Sequence, residues 1–287
     1  MKVYCNGEIL EESEARIPFL DRGVLFGDGL FETIRAYDGK PFRLERHLLR
    51  LREGCRDLRL SGLPSDGDIE EALGELYGLN VGEGDAYMRI TLTGGPYDGG
   101  RTLDRPSPPN MLIVVQPYAG YPPELYERGV RMVVSTIRRN DGSPLSRIKS
   151  NNYLGTIMAK HEAIELGADD AIMLNGKGYL AEATSSNLFL VKREIVTTPD
   201  VACGLLPGVT RETVLELCAH LGLASEAGYY TLADLLGADE VFLSVSTAEI
   251  LPVAEVDGTR IGTTLPGPIT ARLSQAYRDL VRAELHL

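Results

Sequence analysis

Lys149 lies in RIKSNNYLGTIMAKHEA, residues 147–163, where a polar loop gives way to a helical pattern. Only six of the 29 basic residues are lysines, and this one sits between Ile148 and Ser150. A lysine in that setting is a solvated charge or a nucleophile, and the residue alone does not separate the two. Further on, Glu182 ends an apolar run in YLAEATSSNLFLV and precedes a cluster of small hydroxyl residues. GLLPGVTRE puts Gly208, Val209 and Thr210 at a helix start, where backbone N–H groups without intrahelical partners form an anion site. Any helix start offers the same groups. SVSTAEILPV adds a last small-hydroxyl segment at Ser246 and Thr247.

Other chemistries leave no such trace. There is no G-x-S-x-G, H-E-x-x-H or P-loop, and the nearest approach to a dinucleotide fingerprint, GEGDAY from Gly82, ends in tyrosine. Cys5, Cys55, Cys203 and Cys218 show neither CxxC nor Cys/His spacing, so buried reduced thiols are expected and a metal site is not. His47, His161, His220 and His286 all fall on helical patterns, with solvated or core-edge roles expected. A net charge of −12 opposes a nucleic-acid partner, which needs clustered cations. The N-terminus MKVYCNGEIL lacks an apolar signal region and no run of 18 apolar residues occurs, so no membrane association and a cytoplasmic location are expected.

The elements that must position these residues read as follows. KVYC and EIL flank Asn6-Gly7, a hairpin signal, and FETIRAYDGKPFRL repeats it at Asp38-Gly39. Leu44, Leu48, Leu51, Cys55 and Leu58 recur at helical spacing to about Leu60, with His47, Arg50 and Arg52 between them. A second helix is expected over 67–79. AYMRITLT and MLIVVQ read as strands around the Gly/Pro-rich loop 94–110, long enough to be functional or mobile. QPYAGYPPE, with three prolines, is the best linker. Beyond it, RGVRMVVST, DDAIML, SNLFLV, EIVTT and DEVFLSVST read as strands. Helices are expected over 152–166, in PGVTRETVLELCAHLG and from about Pro268 to the end. Helices and strands intermix without a repeat or regular βαβ alternation, an α+β pattern. The expected division is a first domain over 1–117, a linker over 118–125 and a second domain over 126–287.

DRGVLFGDGLFETIRAYDGKPFRLERHLLRL, RIKSNNYLGTIMAKHEA, YLAEATSSNLFLV, LLPGVTRE and SVSTAEILPV, taken in order, resemble the fold-type IV pyridoxal-phosphate enzymes. These are the class IV aminotransferases: branched-chain aminotransferases, D-amino acid aminotransferases and aminodeoxychorismate lyases. The resemblance runs nearly end to end. It implies a small N-terminal α/β domain, a larger C-terminal domain with a β-barrel-like core, and a homodimer. It makes pyridoxal 5'-phosphate the cofactor and Lys149 the catalytic Schiff-base lysine, an amine partly desolvated beside Ile148. Glu182 matches the carboxylate on the pyridinium nitrogen, and Tyr153 the tyrosine on the ring's phenolic oxygen. Arg50, rather than Arg46, matches the phosphate arginine. Gly208, Val209, Thr210 and Thr247 match the remaining phosphate donors, with Thr247 and Ala248 toward the substrate carboxylate.

For the substrate the resemblance divides. Tyr87 and Arg89 in AYMRIT, and Phe31 and Arg35 in FETIR, resemble the substrate residues of branched-chain enzymes, whereas DRGVLFGDG is closer to D-amino acid and lyase members. Thr33 stands where many branched-chain enzymes have glycine. Thr93-Gly94-Gly95 replaces the Thr-Arg-Gly of many D-amino acid and lyase members, leaving Arg101 as the loop's substitute for a carboxylate trap. The resemblance thus implies a transaminase moving an amino group between an L-branched-chain amino acid and a 2-oxo acid such as 2-oxoglutarate. D-amino acid transamination comes second and aminodeoxychorismate lyase third.

Overall fold

The computed structural model describes residues 1–105 and 107–287. Pro106, inside the loop expected over 94–110, lies outside the described residues. The chain forms two units, Met1–Ala119 with Ile148–Asn152, and Gly120–Arg147 with Tyr153–Leu287. The change of unit at Ala119/Gly120 falls within the expected linker, but the return of Ile148–Asn152 to the first unit has no counterpart in the expected division.

In the first unit, β1 (Lys2–Cys5) and β2 (Glu8–Glu11) form the hairpin expected at Asn6-Gly7, both at positive φ. α1 (Arg22–Phe26) lies in a segment whose sequence reads as a glycine-rich turn. It is a single helical turn, too short for periodicity to reveal, started by the Asp21 side chain accepting from Gly23 N–H and stopped by left-handed Gly27. β3 (Gly29–Tyr37) and β4 (Lys40–Pro41) make the second hairpin, followed by α2 (Leu44–Asp57) and α3 (Asp66–Asn80). A Ser65/Asp68 capping box starts α3. With β5 (Ala86–Thr93) and β6 (Met111–Pro117) the strands form a sheet ordered β2-β1-β6-β5-β3-β4. Alternation divides its faces. Leu30, Ile34, Met88, Ile90, Ile113 and Val115 pack with Leu48 and Leu51 of α2 and Ile69, Leu73 and Leu76 of α3. Each such side chain contributes roughly 1.5–3 kcal/mol on burial. Phe31, Arg35, Tyr87 and Arg89 stand on the opposite face.

The second unit holds α4 (Pro123–Arg128), β7 (Val130–Val134), α5 (Leu154–Glu165), β8 (Asp170–Leu174), β9 (Leu180–Ala183), β10 (Asn187–Lys192) and β11 (Ile195–Pro199). Then come α6 (Val209–His220), β12 (Ser225–Gly228), α7 (Leu232–Leu236), β13 (Glu240–Val245), β14 (Glu249–Val256), β15 (Thr259–Arg260) and α8 (Pro268–Leu285). Strand order β10-β13-β14-β7-β8-β9, closed by a β9–β10 pairing, makes a six-stranded barrel. The β14–β7 and β7–β8 pairs are parallel. Ile172, Leu188, Leu190, Leu243, Leu251 and Val253 belong to its core. α6 and α8 pack on β13, and α5 packs on β8 through Ala159 and Ala163. The opposite side of α5 leaves Leu154, Ile157, Met158 and Ile164 more than half exposed. No helix among the described residues is long and apolar enough to cross a membrane.

Candidate active site

In the first unit, Lys149 is placed by backbone. Phe31 N–H donates to the Lys149 carbonyl at 2.9 Å, Asn151 N–H to the Gly29 carbonyl at 2.9 Å, and Leu30 bridges Ser150. The Lys149 amine consequently lies 4.6 Å from the centre of the Phe31 ring. The Arg89 guanidinium lies 4.0 Å from the same ring, and its Nε donates to Thr91 Oγ1 at 3.1 Å. The antiparallel register explains the grouping, since Phe31 is opposite Thr91 and Thr33 opposite Arg89. An amine, an aromatic ring and a guanidinium therefore share one sheet face. Tyr87 lies further along it, opposite Arg35 and 6.5 Å from the Tyr118 ring. Arg35, expected at the substrate, is held by Asp85 through Nη2 at 2.7 Å and Nε at 3.1 Å, and its guanidinium stands over Tyr37. Asp85 precedes β5, so this ion pair ties the far end of the face. Arg101 is exposed.

Behind that face is a charge network the sequence reading missed. Arg50 donates to Glu32 through Nε at 2.8 Å and Nη2 at 2.7 Å, and His47 Nδ1 lies 2.8 Å from Glu32 Oε2. Glu32 and His47 are buried, which corrects the solvated or core-edge role expected for His47. Burial alone raises the Glu32 pKa, but the Arg50 charge and the bonds from His47 and Arg50 together outweigh it and hold the carboxyl well below its usual range. Burial pushes the His47 pKa down, Glu32 opposes this, and the charges of Arg50 and Lys149 add to the depression. A neutral His47 donating to an ionised Glu32 is the consistent state, because Arg50 alone balances the carboxylate. The signal was in the sequence: Glu32 interrupts the apolar alternation of Leu30, Ile34 and Ala36.

In the second unit, β9 carries Glu182, opposite Asn187 across the closing pair of the barrel. Its Oε1 lies 2.9 Å from Arg139 Nη2 and its Oε2 accepts from Leu206 N–H at 3.1 Å. Arg139 is a second residue the sequence reading missed. Tyr153 starts α5 and donates its hydroxyl to the Thr184 carbonyl at 3.1 Å. Gly208 is the N-cap of α6, with no side-chain cap bond, and Val209 and Thr210 are buried in the first turn. A Cβ at Gly208 would lie 2.0 Å from Asn187 Oδ1, so a side chain there requires Asn187 to move. Thr210 Oγ1 is 3.4 Å from Ser246 Oγ, which brings the α6 start to the β13–β14 turn containing Thr247 and Ala248. The predicted residues thus form two sets. Phe31, Arg35, Arg50, Tyr87, Arg89 and Lys149 share the first unit, and Tyr153, Glu182, Gly208, Val209, Thr210, Thr247 and Ala248 share the second.

Comparison with known proteins agrees along the whole chain. Residues 29–256 match the model of the amino-transferase class IV family. A putative branched-chain-amino-acid aminotransferase of Methanocaldococcus jannaschii is 36% identical over 98% of this chain and 96% of its own length. A D-alanine aminotransferase of Bacillus licheniformis is 35% identical over 99% and 98%. An aminodeoxychorismate lyase of Bacillus subtilis is 33% identical over 99% and 96%. Among solved structures, the branched-chain aminotransferase of the thermophilic archaeon Thermoproteus uzoniensis with norvaline superposes with a TM-score of 0.89 at 33% identity, covering 98% of this chain and 94% of that one. The Escherichia coli branched-chain amino acid aminotransferase gives 0.90 at 30% identity, covering 98% and 94%. With five ordered motifs, a barrel-bearing fold and matches across nearly its full length, the chain belongs to the class IV aminotransferase family.

Proposed function

We propose that this enzyme is a pyridoxal-phosphate-dependent transaminase moving an amino group from an L-branched-chain amino acid to a 2-oxo acid such as 2-oxoglutarate. The observation that carries the reading is the sheet face of Lys149, Phe31, Arg89 and Tyr87. It offers a reactive amine, an apolar wall and a guanidinium suited to a second carboxylate. The second unit's residues fit the cofactor. The α6 start combines an N-cap glycine without a side-chain cap bond with the buried Thr210 hydroxyl, donors suited to a phosphate monoester. Glu182 is a buried carboxylate fixed by Arg139 and Leu206, suited to a protonated ring nitrogen.

Pyridoxal phosphate, when bound, supplies a carbon for an amine to attack and a ring that takes up the electrons left on Cα. The chain's residues do the rest. Lys149 Nζ would hold the cofactor and serve as the base whose amine nitrogen accepts the proton from the substrate Cα. Glu182 keeps the ring nitrogen protonated, and Tyr153 is assigned to the phenolic oxygen. Arg50, oriented by Glu32, is assigned to the phosphate by the family resemblance, as are Gly208, Val209, Thr210 and Thr247. Thr247 and Ala248 take the substrate carboxylate, and Phe31, Tyr87 and Arg89 its side chain. Arg35 serves through Asp85 by fixing the strand ends beneath Tyr87.

The likeness to a D-alanine aminotransferase and the DRGVLFGDG segment support D-amino acid transamination as the second reading, ahead of aminodeoxychorismate lyase. A homodimer and a cytoplasmic location belong to the same proposal. For the dimer, the support is the α5 stripe of Leu154, Ile157, Met158 and Ile164, an exposed apolar face that a second copy would cover. The test is a donor screen using both enantiomers of leucine, valine and alanine with 2-oxoglutarate. Turnover of L-leucine and L-valine is expected. A preference for D-alanine would replace the first reading by the second.

A further inference from the structure

The β13–β14 turn is held in a conformation its sequence resists. Val245 pairs with Glu249, leaving Ser246, Thr247 and Ala248 as a three-residue loop. Such loops commonly close with a left-handed residue, for which glycine is suited. Here that residue is Glu249, buried and at φ 61°. A side chain in that region is strained and persists when its surroundings enforce it. Two tyrosine hydroxyls from one short segment reach the loop. Tyr126 on α4 donates to the Ala248 carbonyl at 3.0 Å, and Tyr121 is hydrogen-bonded to the Thr247 side chain. The Tyr126 bond acts on the peptide immediately before Glu249. That peptide must rotate if Glu249 is to relax to a negative φ.

We propose that Tyr126 is a positioning residue for substrate-carboxylate binding, fixing the Ala248–Glu249 peptide and through it the turn bearing Thr247 and Ala248. The inference rests on the assignment of Thr247 and Ala248 to the substrate carboxylate. Without the hydroxyl, Glu249 relaxes and the turn divides its population between two forms, one of which no longer receives a carboxylate. Both the amino donor and the 2-oxo acceptor carry that carboxylate, so both lose affinity alike. The chemistry of the bound substrate is untouched, because the lost interaction is common to ground and transition states.

The test compares holoenzyme of wild type and Tyr126→Phe by calorimetric titration with 4-methylvalerate, an amine-free monocarboxylate, and by steady-state kinetics. The variant's affinity for 4-methylvalerate should fall roughly 2- to 12-fold, the value of one neutral hydrogen bond. KM for donor and acceptor should rise by that same factor, with kcat and the visible cofactor band unchanged. Equal affinity in the two proteins overturns the inference. So does a fall in kcat at constant KM, an effect confined to one substrate, or loss of the cofactor band, each of which places Tyr126 elsewhere in the enzyme's work. If wild-type holoenzyme fails to bind 4-methylvalerate, the carboxylate assignment itself falls and the inference with it.

Discussion

Replacing Arg89 by methionine isolates the charge that the proposed substrate face offers. The guanidinium donates to a hydroxyl, Thr91 Oγ1 at 3.1 Å, and stands 4.0 Å from the Phe31 ring, with no carboxylate partner among the described residues. Methionine keeps an unbranched apolar chain against Phe31, so packing is largely retained while the donor and charge are lost. A charge-assisted hydrogen bond to a carboxylate is worth roughly 1.5–3 kcal/mol, or about 10- to 150-fold in affinity. KM for 2-oxoglutarate or glutamate, whose second carboxylate the guanidinium would bind, should rise by that factor. KM for leucine should change by less than about 3-fold, the effect of a small packing change. The assay is steady-state kinetics in both directions with leucine, glutamate and their oxo acids. Equal, small changes for all four substrates would place Arg89 outside the pocket and refute the reasoning.

Glu182→Gln should leave the fold intact but slow turnover about 10- to 150-fold, because an amide does not hold a ring nitrogen protonated as a carboxylate does. A wild-type rate in single turnover would make Glu182 structural. Glu32→Ala leaves Arg50, whose side chain is 12% exposed, without its fully buried partner. That should cost about 3–5 kcal/mol in chemical denaturation, and a loss below about 0.5 kcal/mol would contradict the network's role. The network also fixes a pH dependence. The pKa values of Glu32 and His47 are both depressed in the fold from ordinary values of 4.5 and 6.5. The unfolded chain therefore binds more protons as pH falls, and stability drops below about pH 6.5 and more steeply below about 4.5. Urea midpoints that rise between pH 6.5 and 5 would contradict this sign.

Local signals in the sequence carried much of this structure. Asn6-Gly7 and Asp38-Gly39 marked hairpins because both residues of each pair adopt positive φ, which few other dipeptides tolerate. α2, α3, α5, α6 and α8 were legible from periodicity and end signals such as Pro268. What the sequence hid depends on pairing across long separations. Parallel β7 lies between β14 and β8, and β9 closes onto β10, choices no local pattern encodes. Ile148–Asn152 read as the end of a loop, yet its backbone bonds to the start of β3 place Lys149 beside Phe31. α4 begins within the proline-rich linker and runs past it through Tyr126, a span whose prolines masked the helix. The motifs singled out Lys149, Glu182 and the α6 start as candidates, but not Arg139 or His47, whose contacts are with partners distant in sequence. Glu32 was different: a carboxylate within an alternating apolar strand face was visible and was passed over.

Borohydride reduction of the cofactor-loaded enzyme, followed by peptide mapping, tests the central claim most directly, since it reports which amine the cofactor occupies whatever the substrate proves to be. A phosphopyridoxyl label on Lys149, in the peptide containing Ser150 and Asn151, is the predicted result. A label on Lys160 or Lys177 with Lys149 unmodified would contradict the account.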